Sequence, residues 1–261
     1  MSEVTGPYEP GTPCWIDLMV PDQQAGLDFY RDLFGWQGEI GPDEYGGYSV
    51  CTQKGKPVAG LMKAMAMGDQ PAPPTAWTTY FSVADADATE AAVKANGGTV
   101  IMPTSDVMTL GRMFVAADPY GAVFGAWQPR DFKGAEIVNE HGALVWNQLH
   151  SPDPAGAGAF YSAVLGLTAG PMPEMPEFDG FQVKGHTIGG VMGLDSLPDG
   201  TPPHWMVNFA VDDADSVVDA LVRAGGSVIT PPFDMDKVGR MAVVQDPQGA
   251  VFSVVASEGQ S

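Results

Sequence analysis

Two tryptophans stand at equivalent places in a stretch that the sequence contains twice. Trp15 and Trp146 each precede, by seven residues, an aspartate that begins a helical pattern. An indole ring is a flat apolar surface on which another ring can stack. Asp17 and Gln148 follow two residues later, so strand alternation places each on the same face as its tryptophan. This combination predicts a site for flat, apolar molecules that a few polar groups orient.

The same alternation extends the candidate binding surface to ten residues. They are Trp15, Asp17, Met19, Thr78 and Tyr80 in the first half, and Trp146, Gln148, His150, Met206 and Asn208 in the second half. Aromatic rings and thioethers with sparse polar groups are the usual lining of a small-molecule pocket. The alternative for each tryptophan is a place in the hydrophobic core, to which we assign Trp36, Trp77 and Trp127. A buried Asp17 needs a ligand or a structural hydrogen bond, because burying an unpaired carboxylate costs on the order of several kcal/mol.

The elements that would hold these residues come from a tandem duplication. The tripeptide Gly-Arg-Met at residues 111–113 recurs at residues 239–241, and the polar stretch 128–134 is typical of a linker. Self-similarity of this kind indicates repeated structural units. We therefore predict two domains, residues 1–130 and 131–261.

A fainter repeat divides each half into two units. Short runs rich in Val, Phe, Tyr and Thr predict strands, and each unit is predicted to contain a strand, a helix and three further strands. The four helices are expected to begin at Asp22, Asp85, Asp153 and Asp213 and to run to Gly35, Gly97, Gly166 and Gly225. The predicted fold class is α+β, with two βαβββ units per domain forming a curved, mostly antiparallel sheet around a cavity.

Composition argues against several classes of partner. The chain has 32 acidic and 12 basic residues and a net charge of −20, which repels phosphate backbones and anionic lipid surfaces. No apolar run is long enough to span a bilayer, and the N-terminus lacks a signal-peptide pattern. We expect a cytoplasmic protein that binds neither nucleic acid nor membranes. Cys14 and Cys51 fit no disulfide framework and are expected to be buried thiols.

Several of these motifs together resemble the vicinal oxygen chelate superfamily, the group of glyoxalases, bleomycin-resistance proteins and extradiol dioxygenases. They are the fourfold unit, Pro-Asp before a helix that carries Phe-Tyr and Leu-Phe-Gly-Trp, and the closing Asp-Pro-x-Gly turn. The two-domain form with Gly-Arg-Met looks like the tandem glyoxalase-like proteins of actinobacteria, some of which accompany antibiotic biosynthesis. The resemblance covers nearly the whole chain and implies two tandem vicinal-oxygen-chelate domains. Function must be argued from the site, because this fold serves isomerases, dioxygenases, transferases and drug-binding proteins.

The resemblance also implies where a metal would be held. Metal-dependent members take ligands from His or Gln on the first strand, His on the strand opening the second unit, and Glu on the closing strand. The corresponding residues are Trp15, Thr78 and Gly125 in the first half, and Trp146, Met206 and Ser253 in the second half. None is a histidine or a carboxylate, the ligands that iron, manganese or zinc requires.

Neighbouring residues offer a weaker alternative. Asp17, Gln148 and Asn208 lie on the same faces and leave a weak oxygen site as a second possibility. The four histidines, His141, His150, His186 and His204, lack the local spacing of a metal-binding pair. We therefore expect neither a metal nor a cofactor.

The sequence thus predicts metal-free binding of a hydrophobic, polycyclic aromatic molecule, either an antibiotic or a biosynthetic metabolite. Binding would sequester the molecule, protecting the host or relieving product inhibition of a biosynthetic enzyme, which is then a candidate partner. The alternative is a glyoxalase-like lyase or isomerase, or a hydroxylase-type accessory enzyme, with Asp17 or His150 as its acid–base group. A third hypothesis is an interaction scaffold with a filled pocket. We expect a monomer, because two fused domains can complete internally what single domains complete by dimerising.

Overall fold

Each half of the chain forms one sheet with two helices in the computed structural model, which describes residues 3–66, 71–173, 175–195 and 197–257. The elements of the first half are β1 (Pro13–Val20), α1 (Gln23–Phe34), a 3₁₀ turn (Asp43–Tyr45), β2 (Ser49–Gln53), β3 (Lys56–Lys63), β4 (Trp77–Ser82), α2 (Ala86–Ala95), β5 (Thr99–Val107), β6 (Gly111–Ala117) and β7 (Val123–Pro129). The elements of the second half are β8 (Leu144–His150), α3 (Pro154–Leu165), β9 (Thr168–Pro171), β10 (Asp179–Val183), β11 (His186–Met192), β12 (His204–Ala210), α4 (Ala214–Arg223), β13 (Ser227–Met235), β14 (Gly239–Gln245) and β15 (Val251–Ser257).

The two sheets share one plan. The first sheet has the strand order β2-β3-β1-β4-β7-β6-β5, and the second has the order β13-β14-β15-β12-β8-β11-β10-β9. The central pair, β1 with β4 or β8 with β12, is antiparallel, and each central strand has a parallel neighbour on its other side. The remaining pairs are antiparallel. The predicted fold class, two tandem α+β domains with mostly antiparallel sheets, is confirmed.

One unit departs from the predicted strand, helix and three strands. In the first unit α1 is followed by only two strands, and the third is reduced to a single bridge between Gln37 and Thr52. The intervening stretch contains Gly41, Pro42 and the 3₁₀ turn, whose backbone cannot continue a ladder. The prediction of three strands after this helix was therefore wrong for the first unit.

The helices begin where the sequence predicted. Each capping aspartate, Asp22, Asp85, Asp153 or Asp213, accepts a hydrogen bond from the backbone N–H three residues later. The first and third helices end at left-handed glycines, Gly35 and Gly166. α2 and α4 end earlier than predicted, at Ala95 and Arg223. No helix among the described residues is long and apolar enough to cross a membrane.

The two halves pack through the sheet faces that carry the helices. Ile16 and Leu18 point to this side of the first sheet and belong to one core together with residues of the second sheet. Phe209 of β12 lies at the centre of that core, with its ring centroid 5.7 Å from that of Trp36 and 5.3 Å from that of Trp77. Trp36 and Trp77 are thus core residues, as predicted.

Hydrogen bonds across the halves are reciprocal. The Tyr30 hydroxyl of α1 donates to Asp246 Oδ2 at 3.0 Å, and the Tyr161 hydroxyl of α3 donates to Asp118 Oδ2 at 3.2 Å. Both aspartates stand at the Asp-Pro-x-Gly turns of the opposite half. The two halves therefore meet with the internal symmetry of a twofold dimer, and the opposite face of each sheet remains available for a site.

Candidate functional site

Strand register brings the predicted residues of the first half together on the face away from the helices. Trp15 lies opposite Tyr80, and Asp17 lies opposite Thr78, on the antiparallel pair β1 and β4. Met19 follows two residues along the same face. We call this face of the first sheet the N-terminal cup.

The second half repeats the arrangement on β8 and β12. Trp146 lies opposite Asn208, and Gln148 lies opposite Met206, so these residues form a C-terminal cup. His150 lies opposite His204, which is not one of the ten residues predicted from the sequence. Cross-strand pairing is not visible as a local spacing, so only a correct alignment of the two strands could have found this histidine pair.

The deep end of the N-terminal cup is filled by the protein itself. Trp15 is only 6% exposed, and the Phe132 ring from the linker meets it edge-on with centroids 4.9 Å apart. Phe132 also packs edge-on against Trp127, whose indole N–H donates to the Phe132 carbonyl at 2.9 Å. Trp15 is therefore packed as a core residue at this end, and Phe132, read as part of a polar linker, is an unpredicted member of the cup.

A hydrogen-bonded chain leads from Trp15 to Asp17. The Trp15 indole N–H donates to the Tyr48 hydroxyl at 2.8 Å, and that hydroxyl donates to Asp17 Oδ2 at 3.3 Å. Gly60 lies beside Asp17 in the register of β1 and β3, and a Cβ at Gly60 would overlap the Tyr48 phenol. Asp17 Oδ1 is buried and has no hydrogen-bond partner among the described residues.

The surroundings of Asp17 favour its neutral form. Burial raises the pKa of Asp17 to about 7, although the neighbouring Tyr80 and Tyr48 phenols oppose this rise. Burial and the nearby carboxyl raise the pKa of both phenols well above 10, so they stay neutral. Asp17 therefore changes charge near neutral pH inside an otherwise uncharged cluster.

The C-terminal cup is less closed. Trp146 is half-buried, and no aromatic ring in the described part of the chain packs against it. Its indole N–H donates to Gln148 Oε1 at 3.1 Å. The Asn208 amide donates to the carbonyls of Met206 at 3.1 Å and Trp146 at 3.3 Å, which fixes the floor of the cup.

The histidine pair stands at the end of this cup. The His150 and His204 rings stack with centroids 4.9 Å apart and an angle of 25° between their planes. Burial, and secondarily the neighbouring His204, lower the pKa of His150 to about 4. Burial also lowers the pKa of His204, whose Nδ1 lies 2.8 Å from the Pro202 carbonyl oxygen. Both imidazoles are therefore neutral at physiological pH.

Two surface cavities lie elsewhere on the molecule. One, of about 650 Å³, includes Gln23, Ile40 and Lys63 in its lining, and the other, of about 420 Å³, lies between Phe29 and Pro247. None of the ten predicted residues lines either cavity. Both cavities are therefore separate from the two cups.

The residues present do not fit a divalent metal. In the strand register Tyr80 lies level with Trp15 and Gly125, so Tyr80 and not Thr78 occupies the implied ligand position of the first half. In the second half Asn208 lies level with Trp146, so Asn208 and not Met206 occupies the corresponding position. The Tyr80 ring occupies the space that a side chain at Gly125 would need. Within the described ranges no group of three or more His, Cys, Asp or Glu could hold a metal ion.

Each half of the chain matches a family model of glyoxalase-like proteins. Residues 14–125 match the model of the Glyoxalase/Bleomycin resistance protein/Dioxygenase superfamily, and residues 146–255 match the model of the Glyoxalase-like domain.

Two relatives match almost end to end. The chain is 44% identical over 251 residues to "Putative glyoxylase CFP32" of Mycobacterium bovis, covering 95% of each protein. It is 39% identical over 260 residues to "Anthracycline biosynthesis protein DnrV" of Streptomyces peucetius, covering 95% of this chain and 94% of DnrV.

Solved structures with the same fold are more distant in sequence. The Mn(II)-bound glyoxalase of Novosphingobium aromaticivorans has a TM-score of 0.64 at 20% identity, covering 99% of this chain and 84% of that one. The 2,3-dioxygenase LapB of Pseudomonas sp. KL28 has a TM-score of 0.59 at 17% identity, covering 94% and 91%. These similarities show the shared fold. The function must be argued from the side chains in the cups.

Proposed function

Because the chain belongs to the glyoxalase/bleomycin resistance protein/dioxygenase superfamily, we propose that it binds a hydrophobic, polycyclic aromatic small molecule without a metal, in the C-terminal cup. The observation that carries this proposal is the half-buried Trp146 ring, which has no aromatic partner among the described residues. The exposed part of such a ring can stack against a ligand ring. Gln148 and Asn208 then supply the few polar groups that orient a ligand.

The proposed ligand class agrees with the relatives. One of them, DnrV of Streptomyces peucetius, carries the name of an anthracycline biosynthesis protein. Thioethers widen the range of shapes the cup can accept, since Met206 can adjust its rotamer to a bound ring. Reversible binding would lower the free concentration of an antibiotic or a biosynthetic product. That sequestration would protect the host or relieve product inhibition of the enzyme that releases it.

Replacing Trp146 with alanine tests this site. Titration calorimetry with 1,4-dihydroxyanthraquinone is expected to show binding to the wild type and about tenfold or greater weakening in Trp146→Ala, because losing one stacked ring removes roughly 1.5 kcal/mol. The matched control is Tyr45→Ala, whose ring is 48% exposed outside both cups. Equal affinity of Trp146→Ala and wild type, or no binding by the wild type, would contradict the proposal.

Metal removal gives a second prediction. The affinity for the same anthraquinone is expected to change less than about twofold between protein treated with EDTA and protein supplied with Mn(II). The reason is that the described ranges hold no group of three or more His, Cys, Asp or Glu that could bind a metal ion. Denaturation midpoints measured in both buffers serve as the control for integrity. A gain in affinity that requires the metal, and that Asp17→Asn or Asn208→Ala removes, would assign the cups to metal chemistry.

Acid–base catalysis is the second candidate function, as a lyase, an isomerase or a hydroxylase-type accessory enzyme. The buried Asp17 carboxyl favours it, because its Oδ1 has no hydrogen-bond partner among the residues that the structure describes. His150 is less suited, since an imidazole with a pKa of about 4 is a weak base at neutral pH. Asp17 is therefore the residue on which this candidate function depends.

A further inference from the structure

The N-terminal cup contains a group that packing does not explain. Asp17 is 4% exposed, its Oδ2 holds one long hydrogen bond from Tyr48, and its Oδ1 has no partner within hydrogen-bond distance in the described part of the chain, although the Tyr80 phenol lies beside the carboxyl. A buried carboxyl in this state weakens the folded protein. The equivalent residue of the other half is the neutral Gln148, so the fold itself does not require an acid here.

One neighbour of Asp17, Tyr48, has no hydroxyl-bearing counterpart in the second half. Gly60 leaves the space through which the Tyr48 phenol reaches the carboxyl. The residue equivalent to Tyr48 in the second half is Phe178, which has no hydroxyl. The Trp15 indole donates to the Tyr48 oxygen, and a phenol that accepts one hydrogen bond becomes a stronger donor of its own. The first half therefore pairs a proton acceptor with a strengthened proton donor.

We propose that Asp17 and Tyr48 form a metal-independent proton-transfer site for aromatic ketones that carry an acidic C–H bond beside the carbonyl. This site specifies the second candidate function and is independent of ligand binding at Trp146, since it lies in the other cup. A carboxylate base next to a phenol donor is the group pair that enolisation requires.

The step balances without an oxidant or a reductant. Asp17 Oδ1 takes the proton from the carbon beside the carbonyl, the C–H electron pair becomes the carbon–carbon double bond, and the carbonyl π pair moves to oxygen. The Tyr48 hydroxyl, which donates a weak 3.3 Å hydrogen bond to Asp17 in the free protein, donates to that oxygen instead and stabilises the enolate charge. The Asp17 carboxyl then returns the proton to the same carbon or to a conjugated one. The net result is hydrogen exchange or isomerisation.

Entry of a ketone to Asp17 requires side chains to move, because the carboxyl is buried. Tyr48 contacts the carboxyl, Thr78 lies opposite Asp17 in the strand register, and Met19 follows on the same face; all three are partly exposed. The flexible Met19 thioether can move aside for a flat ketone. Charged side chains are absent from the contacts described for Asp17, and both phenols near it stay neutral, so its own titration governs the site.

Hydrogen exchange of 2-tetralone and 2-indanone in D₂O, followed by NMR, tests the proposal. Wild-type protein is expected to accelerate exchange of the hydrogens beside the carbonyl at least tenfold over buffer, with a rate that rises with pH to a midpoint near 7, because the carboxylate is the base. Asp17→Asn should fall to the buffer rate. Tyr48→Phe should lose at least tenfold in rate and move the midpoint to higher pH, since the phenol favours the ionised carboxyl.

Controls separate this site from the fold and from the other cup. Asp219→Asn, at an exposed carboxylate of α4, should exchange at the wild-type rate. Circular dichroism melting checks that Asp17→Asn is folded. The proposal is overturned if the wild type accelerates neither ketone, or if Asp17→Asn keeps the wild-type rate. If the wild type accelerates exchange but does not bind the anthraquinone, the proton-transfer site is supported and the binding function proposed for Trp146 is contradicted.

Discussion

Replacing Phe209 with alanine is expected to destabilise the whole molecule by about 3–5 kcal/mol, the usual effect of removing a fully buried phenylalanine. Phe209 is 0% exposed and belongs to the second half, yet its ring packs against Phe34, Trp36 and Trp77 of the first half. The cavity would open between the two sheets, where neither half can close it alone. Urea denaturation should show a lower midpoint for fluorescence and for circular dichroism alike.

The matched control for this result is Phe233→Ala, in β13 of the same half. The Phe233 ring is 38% exposed, so its removal is expected to change stability by less than about 1 kcal/mol. If Phe209→Ala unfolded the second half while the first half kept its wild-type midpoint, the shared core would not couple the two halves.

Asp17→Asn is expected to become more stabilising, relative to wild type, as the pH rises from 4 to 8. Below about pH 4 the Asp17 carboxyl is protonated in both the folded and the unfolded chain, so its raised pKa has no effect on stability. Between about pH 4 and pH 7 the unfolded chain loses this proton while the folded chain retains it, and wild-type stability falls. Above about pH 7 the loss is complete, at up to about 4 kcal/mol for a shift near three units.

The measurement is the free energy of unfolding of both proteins at pH 4, 6 and 8. The quantity to compare is the difference in unfolding free energy between the two proteins, followed as a function of pH. Any effect of the amide that does not depend on pH is the same at each pH and therefore drops out of this comparison. Asp219→Asn, at an exposed site, should show a difference that stays nearly constant. A constant difference for Asp17→Asn as well would mean that Asp17 ionises normally in the folded protein. Loss of exchange activity together with gained stability would mark Asp17 as a residue kept for function.

Local signals predicted the helices well. Each helix starts at an aspartate whose side chain caps its own first turn, and the left-handed glycines stop α1 and α3. These signals act within four residues, so they can be read from sequence. In the first unit a loop between Gly38 and Gly47 replaces the strand that the other units have after their helix. Its glycines and proline disfavour a strand there.

Alternation along single strands predicted which residues share each cup, because the side-chain period of a strand is two. It could not predict what approaches from other elements. Tyr48 reaches Asp17 across β3, His204 meets His150 across β8 and β12, and Phe132 covers Trp15 from the linker. Each of these contacts depends on register or on a distant loop, neither of which has a local signal. Asp17 and Gln148 occupy equivalent positions and differ in chemical type, so the two cups are not identical.

The reciprocal bonds from Tyr30 to Asp246 and from Tyr161 to Asp118 have a consequence for how such a protein can evolve. In a dimer of identical subunits, every substitution in one cup appears in the other as well. Here both halves of the twofold arrangement belong to one gene product, so the interface can stay symmetric while the cups diverge. One cup could acquire an acid beside a phenol while the other kept an open indole, and a single polypeptide would carry two different specialisations.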